Sequence, residues 1–255
     1  MKNIAIVLPA YNIGGNIKSS LNKINFGIKQ FPDHNFVLYV VDDCSIDNTP
    51  LAIERWIGDC SLRVIFHKNK ENLGLVRTLK ETYKNILESD IRFDYILKTD
   101  SDDDFDQKEV IVTLLSEIFD ADLIVGNRKL KEYQYSNYEQ SKRKEIFCRV
   151  EKNIGYIDEK LIDPASVGSQ LYKRDSLKEL IEHNIIRSFN ETKGLDFLIP
   201  LVAHRLVGKN IRIVDLKNVS YDVVRRSDKK VGDNYDVYSK IIDLVLNNAE
   251  KDSQA

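Results

Sequence analysis

The stretch Phe36-Val37-Leu38-Tyr39-Val40-Val41-Asp42-Asp43-Cys44-Ser45-Ile46-Asp47-Asn48-Thr49-Pro50 decides the fold. Its first six residues are apolar without alternation, as in a short strand covered on both faces of a sheet. Two acids end the run. Ser45, Asp47, Asn48 and Thr49 then supply turn and capping chemistry ahead of the helical periodicity of Thr49 to Ile57. Asp47 is the expected N-cap of that helix, with Pro50 tolerated in its first turn. Strand, polar tip and helix in this order form the unit from which parallel α/β sheets are built.

The unit recurs on either side. Strands are expected at Asn3 to Leu8, Leu62 to His67, Tyr95 to Thr99 and Asp122 to Gly126, and helices at Asn16 to Gln30, Leu75 to Glu88 and Lys108 to Phe119, with Asn72 capping the helix from Leu75. After residue 127 the alternation loosens. Arg128 to Lys152, rich in Lys, Arg and Tyr, reads as a mobile loop followed by a charged helix. A strand at Gly168 to Lys173, helices at Ser176 to His183 and Leu195 to Val207, a strand at Ile211 to Leu216 and an amphipathic helix at Tyr235 to Asn248 complete the pattern. No repeat, low-complexity tract or Pro/Gly-rich linker divides the 255 residues, so a single domain is expected over residues 1–255.

Composition narrows the function classes. Lys and Arg total 38 against 40 Asp and Glu, a formal net charge of -2, which argues against a bulk polyanion binder and hence against a nucleic-acid partner. Cys44, Cys60 and Cys148 are too few and too scattered for a disulfide framework or a zinc site, as suits a reducing compartment. No apolar run approaches the roughly 18 residues of a membrane span, and Ile4 to Leu8 is too short, and too soon broken by Pro9, for a signal peptide. The expectation is a soluble, cytoplasmic protein.

In open α/β sheets ligands bind outside the carboxyl ends of the strands. The first strand ends in Pro9-Ala10-Tyr11-Asn12, the second in Asp42-Asp43, and the fourth in Asp100-Ser101-Asp102-Asp103-Asp104-Phe105-Asp106. Five aspartates in seven residues repel one another unless a cation neutralises them, and a hard divalent ion, Mg2+ or Mn2+, suits carboxylate oxygens. The competing reading is a solvated acidic loop that caps the helix at Lys108. An EF-hand is excluded, because Phe105 and Ile111 stand where its loop needs Gly and Glu. Carboxylates at the second strand's end suit ribose hydroxyls or a base N–H, while Asp47 competes as a helix cap. Neither a G-x-x-x-x-G-K loop nor a G-x-G-x-x-G after the first strand is present, so a metal would have to carry any diphosphate.

Four segments together resemble glycosyltransferase family 2: Ile6-Val7-Leu8-Pro9-Ala10-Tyr11-Asn12, Val41 to Thr49, Asn72-Leu73-Gly74, and Lys98-Thr99-Asp100-Ser101-Asp102. That family has the GT-A fold, a three-layer α/β/α sandwich on a mostly parallel sheet. The resemblance implies a nucleotide-sugar donor bound by Pro9, Tyr11, Asn12, Asp42, Asp43, Gly74, Asp100 and Ser101, with Pro9, Tyr11 and Asp43 around the base and ribose. It also implies an Asp-x-Asp motif at Asp100 and Asp102 that holds Mn2+ or Mg2+, with Asp102 the direct ligand and Asp104 a helper. The halves then become a nucleotide-sugar-binding part, residues 1–127, and an acceptor-binding part, residues 128–255.

The second half is loosely similar to the polyprenyl-phosphate branch of that family, through Val125 to Arg128, Asp163 to Gly168, Gly194-Leu195-Asp196, and Ser220-Tyr221 followed by Arg225-Arg226. Inversion at the anomeric carbon is implied. A hydroxyl acceptor on a glycan needs a base, and Asp196 is the candidate; it also sits in a first helical turn, where the helix dipole favours an acid whatever the function. A polyprenyl-phosphate acceptor needs cations instead, for which Arg128, Arg225 and Arg226 are candidates. Arg225 to Lys230 reads equally as a solvated basic loop. Tyr133, Tyr135 and Tyr138 with Lys142-Arg143-Lys144 form either an acceptor lid or a peripheral contact at the inner face of the plasma membrane, against a plain loop and exposed helix. Trp56 is expected to pack its helix on the sheet. A sugar nucleotidyltransferase and a catalytically inactive nucleotide-sugar-binding module are the alternative functions; the first lacks its basic Gly-rich loop, and the second sits poorly with Asp100-Ser101-Asp102.

Overall fold

A computed structural model describes residues 1–101, 106–118, 121–128, 137–154, 168–216 and 228–252. The chain runs β1 (Asn3–Ala10), α1 (Ile17–Ile28), β2 (Asn35–Asp42), α2 (Thr49–Gly58), β3 (Arg63–Lys68), α3 (Leu75–Glu88), β4 (Tyr95–Lys98), α4 (Gln107–Ser116), β5 (Leu123–Arg128), α5 (Asn137–Ile154), β6 (Ser169–Lys173), α6 (Arg174–Glu182), α7 (Asn184–Ser188), α8 (Leu195–Arg205), β7 (Ile211–Leu216) and α9 (Asp228–Asp252). Among the described residues the strands form one sheet in the order β3-β2-β1-β4-β6-β5-β7. Every pairing is parallel except those of β6, which runs antiparallel to both β4 and β5.

The apolar runs behave as their lack of alternation requires. Alternate residues of a strand point to opposite faces. Ile4, Ile6, Leu8, Leu38 and Val40 pack against Leu21 and Ile24 of α1, Ile53 and Trp56 of α2, and Ile111 and Leu114 of α4. Ala5, Val7, Val37 and Tyr39 face the other layer, against Leu79 and Tyr83 of α3, Leu177 of α6, Leu198 and Val202 of α8, and Ile241 of α9. Helices therefore cover both faces, and the sandwich expected from the sequence is the one formed. Trp56 is 5% exposed, and its indole N–H donates to Asn22 Oδ1 at 2.8 Å, joining α2 to α1.

Several boundaries differ from expectation for local reasons. Residue Asn48, not Asp47, occupies the N-cap of α2, while the Asp47 carboxylate accepts the N–H groups of Thr49 at 2.9 Å and Gly14 at 3.0 Å. Gly74, not Asn72, is the N-cap of α3, because the turn there needs a positive φ of 76°. Helix α4 starts at Gln107 behind Asp106, which accepts the N–H of Lys108. Helix α7 had no sequence signal: five residues are too short for periodicity.

The connections position the site. From β1 the chain winds outward through β2 to β3, then returns across the sheet through α3 to place β4 on the opposite flank of β1. Successive connections leave β1 in opposite directions, which opens a crevice at the carboxyl ends of β1 and β4. Antiparallel β6 brings its amino end, Gly168 and Ser169, to that same rim.

Candidate active site

Pro9, Tyr11, Asp43, Gly74, Asp100 and Ser101 line one pocket of about 350 Å3 at this crevice. Clefts of about 560 Å3 at the amino ends of β1 and β2, and of about 600 Å3 between α3 and α6, are larger but lie away from the strands' carboxyl ends. Three strand tips thus converge as their sequence positions implied.

Within the pocket Asp43 is a builder of the wall. Its Oδ1 accepts from Asn69 Nδ2 and from the N–H of Leu73, both at 2.8 Å, and its Oδ2 from the N–H of Gly74 at 2.9 Å. These bonds hold the turn into α3 in place, and the N–H of Val76 reaches Thr192 O at 3.4 Å, so the segment before α8 leans on the same wall. Two further donor-contact candidates are bonded within the protein. Asp42 is fully buried and its Oδ2 accepts the N–H of Ser45 at 3.1 Å; adjacent strand residues face opposite ways, and only Asp43 reaches the pocket. Asn12, at φ 52°, ties the first tip to the second: its N–H donates to Ser45 Oγ at 2.8 Å, and its Oδ1 accepts the N–H of Ile46 at 2.9 Å.

The acidic loop begins inside the pocket and continues past the described residues. Asp100 is anchored from its carbonyl by Gln107 Nε2 at 3.1 Å, and Ser101 O accepts from Ser20 Oγ at 2.9 Å. Asp102 and Asp104 lie outside the described residues, as do Arg225, Arg226 and the segment Asp163 to Val167. Among the described residues no group of three or more His, Cys, Asp or Glu could hold a metal ion. Arg128 ends β5, in register with Leu216 of β7.

Asp196 and Lys98 form a buried ion pair beside the pocket. The Lys98 side chain is fully buried, and its ammonium donates to Asp100 Oδ1 at 2.6 Å, Gly168 O at 2.7 Å and Asp196 Oδ2 at 2.8 Å. Burial works against this charge, but the two carboxylates outweigh it and hold the ammonium well above the usual lysine range. Asp196 is 15% exposed, and its Oδ1 is buried with no hydrogen-bond partner among the described residues. Burial pushes its carboxyl up to about 6 against the pull of Lys98, with Asp100 adding to the rise.

The backbone at Asp196 is fixed by a second device. Pro200 lies inside α8 and has no N–H, which leaves the Asp196 carbonyl without its helical i+4 donor. The Gln170 amide fills that vacancy at 2.6 Å, and Tyr172 donates to Gln170 Oε1 in turn. Gly194, at φ 97°, turns the chain into α8, and a Cβ there would meet Ile241 Cδ1 at 2.8 Å. Sequence reasoning singled out Asp196 and passed over Lys98 and Gln170. The available signal was a lysine closing an otherwise apolar strand, two residues before an aspartate.

The Tyr138 to Lys144 cations are largely engaged within α5. Lys142 pairs with Glu145 at 3.0 Å, and Arg143 lies 5.3 Å from the Phe147 ring. Among the described residues no helix is long and apolar enough to cross a membrane.

Solved structures share this fold. Glucosyl-3-phosphoglycerate synthase from Mycobacterium tuberculosis, in complex with Mn2+, uridine diphosphate and glucosyl-3-phosphoglycerate, is 16% identical with a TM-score of 0.67, over 96% of this chain and 80% of that one. Mannosyl-3-phosphoglycerate synthase from Rubrobacter xylanophilus is 14% identical with a TM-score of 0.65, over 100% and 76%. Residues 1–349 of S. aureus TarS in complex with UDP are 19% identical with a TM-score of 0.53, over 84% and 58%. At these identities the likeness establishes a shared GT-A fold. No match is found among curated protein sequences. The family model described as Glycosyl transferase family 2 matches residues 5–181, more than half of the sequence, and the chain belongs to that family.

Proposed function

We propose that this chain transfers a sugar, with inversion, from a nucleoside-diphosphate donor to a hydroxyl of a glycan acceptor. The observation that carries the reading is the Asp196 carboxylate, buried at the rim with one oxygen held by Lys98 and the other unpartnered among the described residues. An acceptor hydroxyl needs a base, whereas a polyprenyl phosphate is already anionic and would meet repulsion from Asp196 and Asp100.

In this reading the pocket walled by Asp43, Gly74, Pro9 and Tyr11 takes the nucleoside, and residues 1–127 form the donor half of a single domain. Asp196 accepts the hydroxyl proton as the acceptor oxygen bonds to the anomeric carbon, the bond from that carbon to the diphosphate oxygen breaks, and the nucleoside diphosphate leaves. Asp100, with Asp102 and Asp104, would hold Mn2+ or Mg2+; the fit rests on Asp100, a hard oxygen donor on the pocket lining whose Oδ1 alone is committed to Lys98. That ion, when bound, supplies Lewis-acid neutralisation of the leaving diphosphate. Arg128, Arg225 and Arg226 are proposed to grip phosphate oxygens, an arrangement suited to planar guanidinium groups. The cytoplasm is the proposed location, and the engagement of Lys142 and Arg143 within α5 is the reason the proposal does not depend on a membrane contact.

The test is a thermal-shift screen of UDP-, GDP- and dTDP-sugars with Mn2+, followed by transfer assays on hydroxyl and polyprenyl-phosphate acceptors. Binding to the native state raises the melting temperature. One nucleotide class that stabilises the protein, with transfer to hydroxyls, is expected. Nucleotide binding with no transfer or hydrolysis on prolonged incubation contradicts the proposal.

A further inference from the structure

We infer that Lys98 is a positioning residue: one buried ammonium, shared between Asp100 of the donor loop and Asp196 of the acceptor side, fixes the reactive carboxylate relative to the bound donor. The inference rests on Asp196 acting as the base. Three observations meet at this nitrogen. Its three donors are all used, on two carboxylates and the Gly168 carbonyl, at 2.6 to 2.8 Å. The three acceptors come from three segments, the stretch after β4, the turn into β6 and the first turn of α8, so one ammonium joins α8 to the β4–β6 pair that the sheet ladder already holds together. Its side chain is fully buried, so neither water nor a neighbouring cation replaces it when it is removed.

The donor loop and α8 are 96 residues apart from Asp100 to Asp196 in sequence. A base must sit within hydrogen-bond reach of the proton it takes, and small displacements cost large factors in rate. Gln170 holds the Asp196 backbone carbonyl. The Asp196 side chain is held by Lys98, whose grip on Oδ2 leaves Oδ1 without a hydrogen-bond partner among the described residues.

The discriminating experiment is a double-mutant cycle with Lys98→Met and Asp196→Asn, read by transfer kinetics, UDP calorimetry with Mn2+ and melting temperature. A residue that acts through Asp196 loses its effect once Asp196 is disabled. Lys98→Met is expected to lower kcat about 10²-fold while changing the Kd for UDP less than threefold. In the Asp196→Asn background the same change should lower kcat less than twofold, and Lys98→Arg should recover part of the loss. Independent, multiplying losses overturn the inference, and so does an unchanged kcat in Lys98→Met. Should Lys98→Met not fold, Lys98→Gln is read the same way, and a melting temperature higher in Lys98→Gln/Asp196→Asn than in Lys98→Gln supports the pairing; equal or lower values refute it. Full activity of Asp196→Asn alone, in contrast, defeats the base assignment itself, so the two failures are distinct.

Discussion

Asp43, on the pocket lining, and Asp196, joined to the lining residue Asp100 through Lys98, are the same side chain in surroundings that make them different reagents. Asp43 receives three hydrogen bonds from Asn69, Leu73 and Gly74, which use most of its lone pairs on the protein itself. Asp196 receives one side-chain contact, from Lys98, and keeps a buried oxygen without a partner among the described residues. An orphaned buried acceptor is costly, and native structures keep few of them. Asp43 gives its carboxylate to the rigidity of its wall; in the proposed function Asp196 uses its carboxylate for chemistry.

The contrast can be broken most sharply at Asp196. Asp196→Asn should lower kcat about 10³-fold, the range of a lost general base, while leaving UDP affinity near wild type. Asp43→Ala should do the reverse, destabilising the fold by about 3 kcal/mol as two backbone N–H groups and an amide lose a charged acceptor, and abolishing nucleotide binding; denaturant unfolding and calorimetry check both. If Asp43→Ala were as stable as wild type, Asp43 would not be the wall's anchor. Gly194→Ala sharpens the comparison from the backbone side. Its φ of 97° and the 2.8 Å approach to Ile241 predict a loss of about 2 kcal/mol in stability together with a fall in kcat, because the turn carries Asp196. Trp56→Phe, remote from both walls, should cost only the indole bond to Asn22, about 1 kcal/mol in denaturant unfolding, with kinetics unchanged.

How far the sequence reached follows from the same physics. Uninterrupted apolar runs announce the strands and the polar tips after them announce the rim, and Pro9, Tyr11, Asp43, Gly74, Asp100 and Ser101 do line one pocket there. Asp42 and Asn12 bond to the segment after β2, contacts that sequence does not reveal because it does not say on which side of a turn a group points. The cluster around Lys98 was beyond sequence reasoning for a different reason. A lysine at the end of β4 is ordinary at an exposed strand end, and it is buried here only because antiparallel β6 and the start of α8, distant in sequence, close over it. Pro200 inside α8 leaves the Asp196 carbonyl without a helical donor, and the Gln170 amide that takes its place is distant in sequence. Asp102, Asp104, Arg225 and Arg226, outside the described residues, stay as sequence expectations.

The central claim, that Asp196 is the base, is tested most directly by the pH dependence of kcat/KM for wild type and Asp196→Asn measured side by side. Burial raises the Asp196 carboxyl to about 6, and only the ionised form accepts a proton, so wild-type activity should fall as pH drops through about 6 and level off above it. In Asp196→Asn that acid limb should vanish, leaving a low rate that is flat across the same range. An acid limb near pH 6 that persists unchanged in the variant would contradict the account.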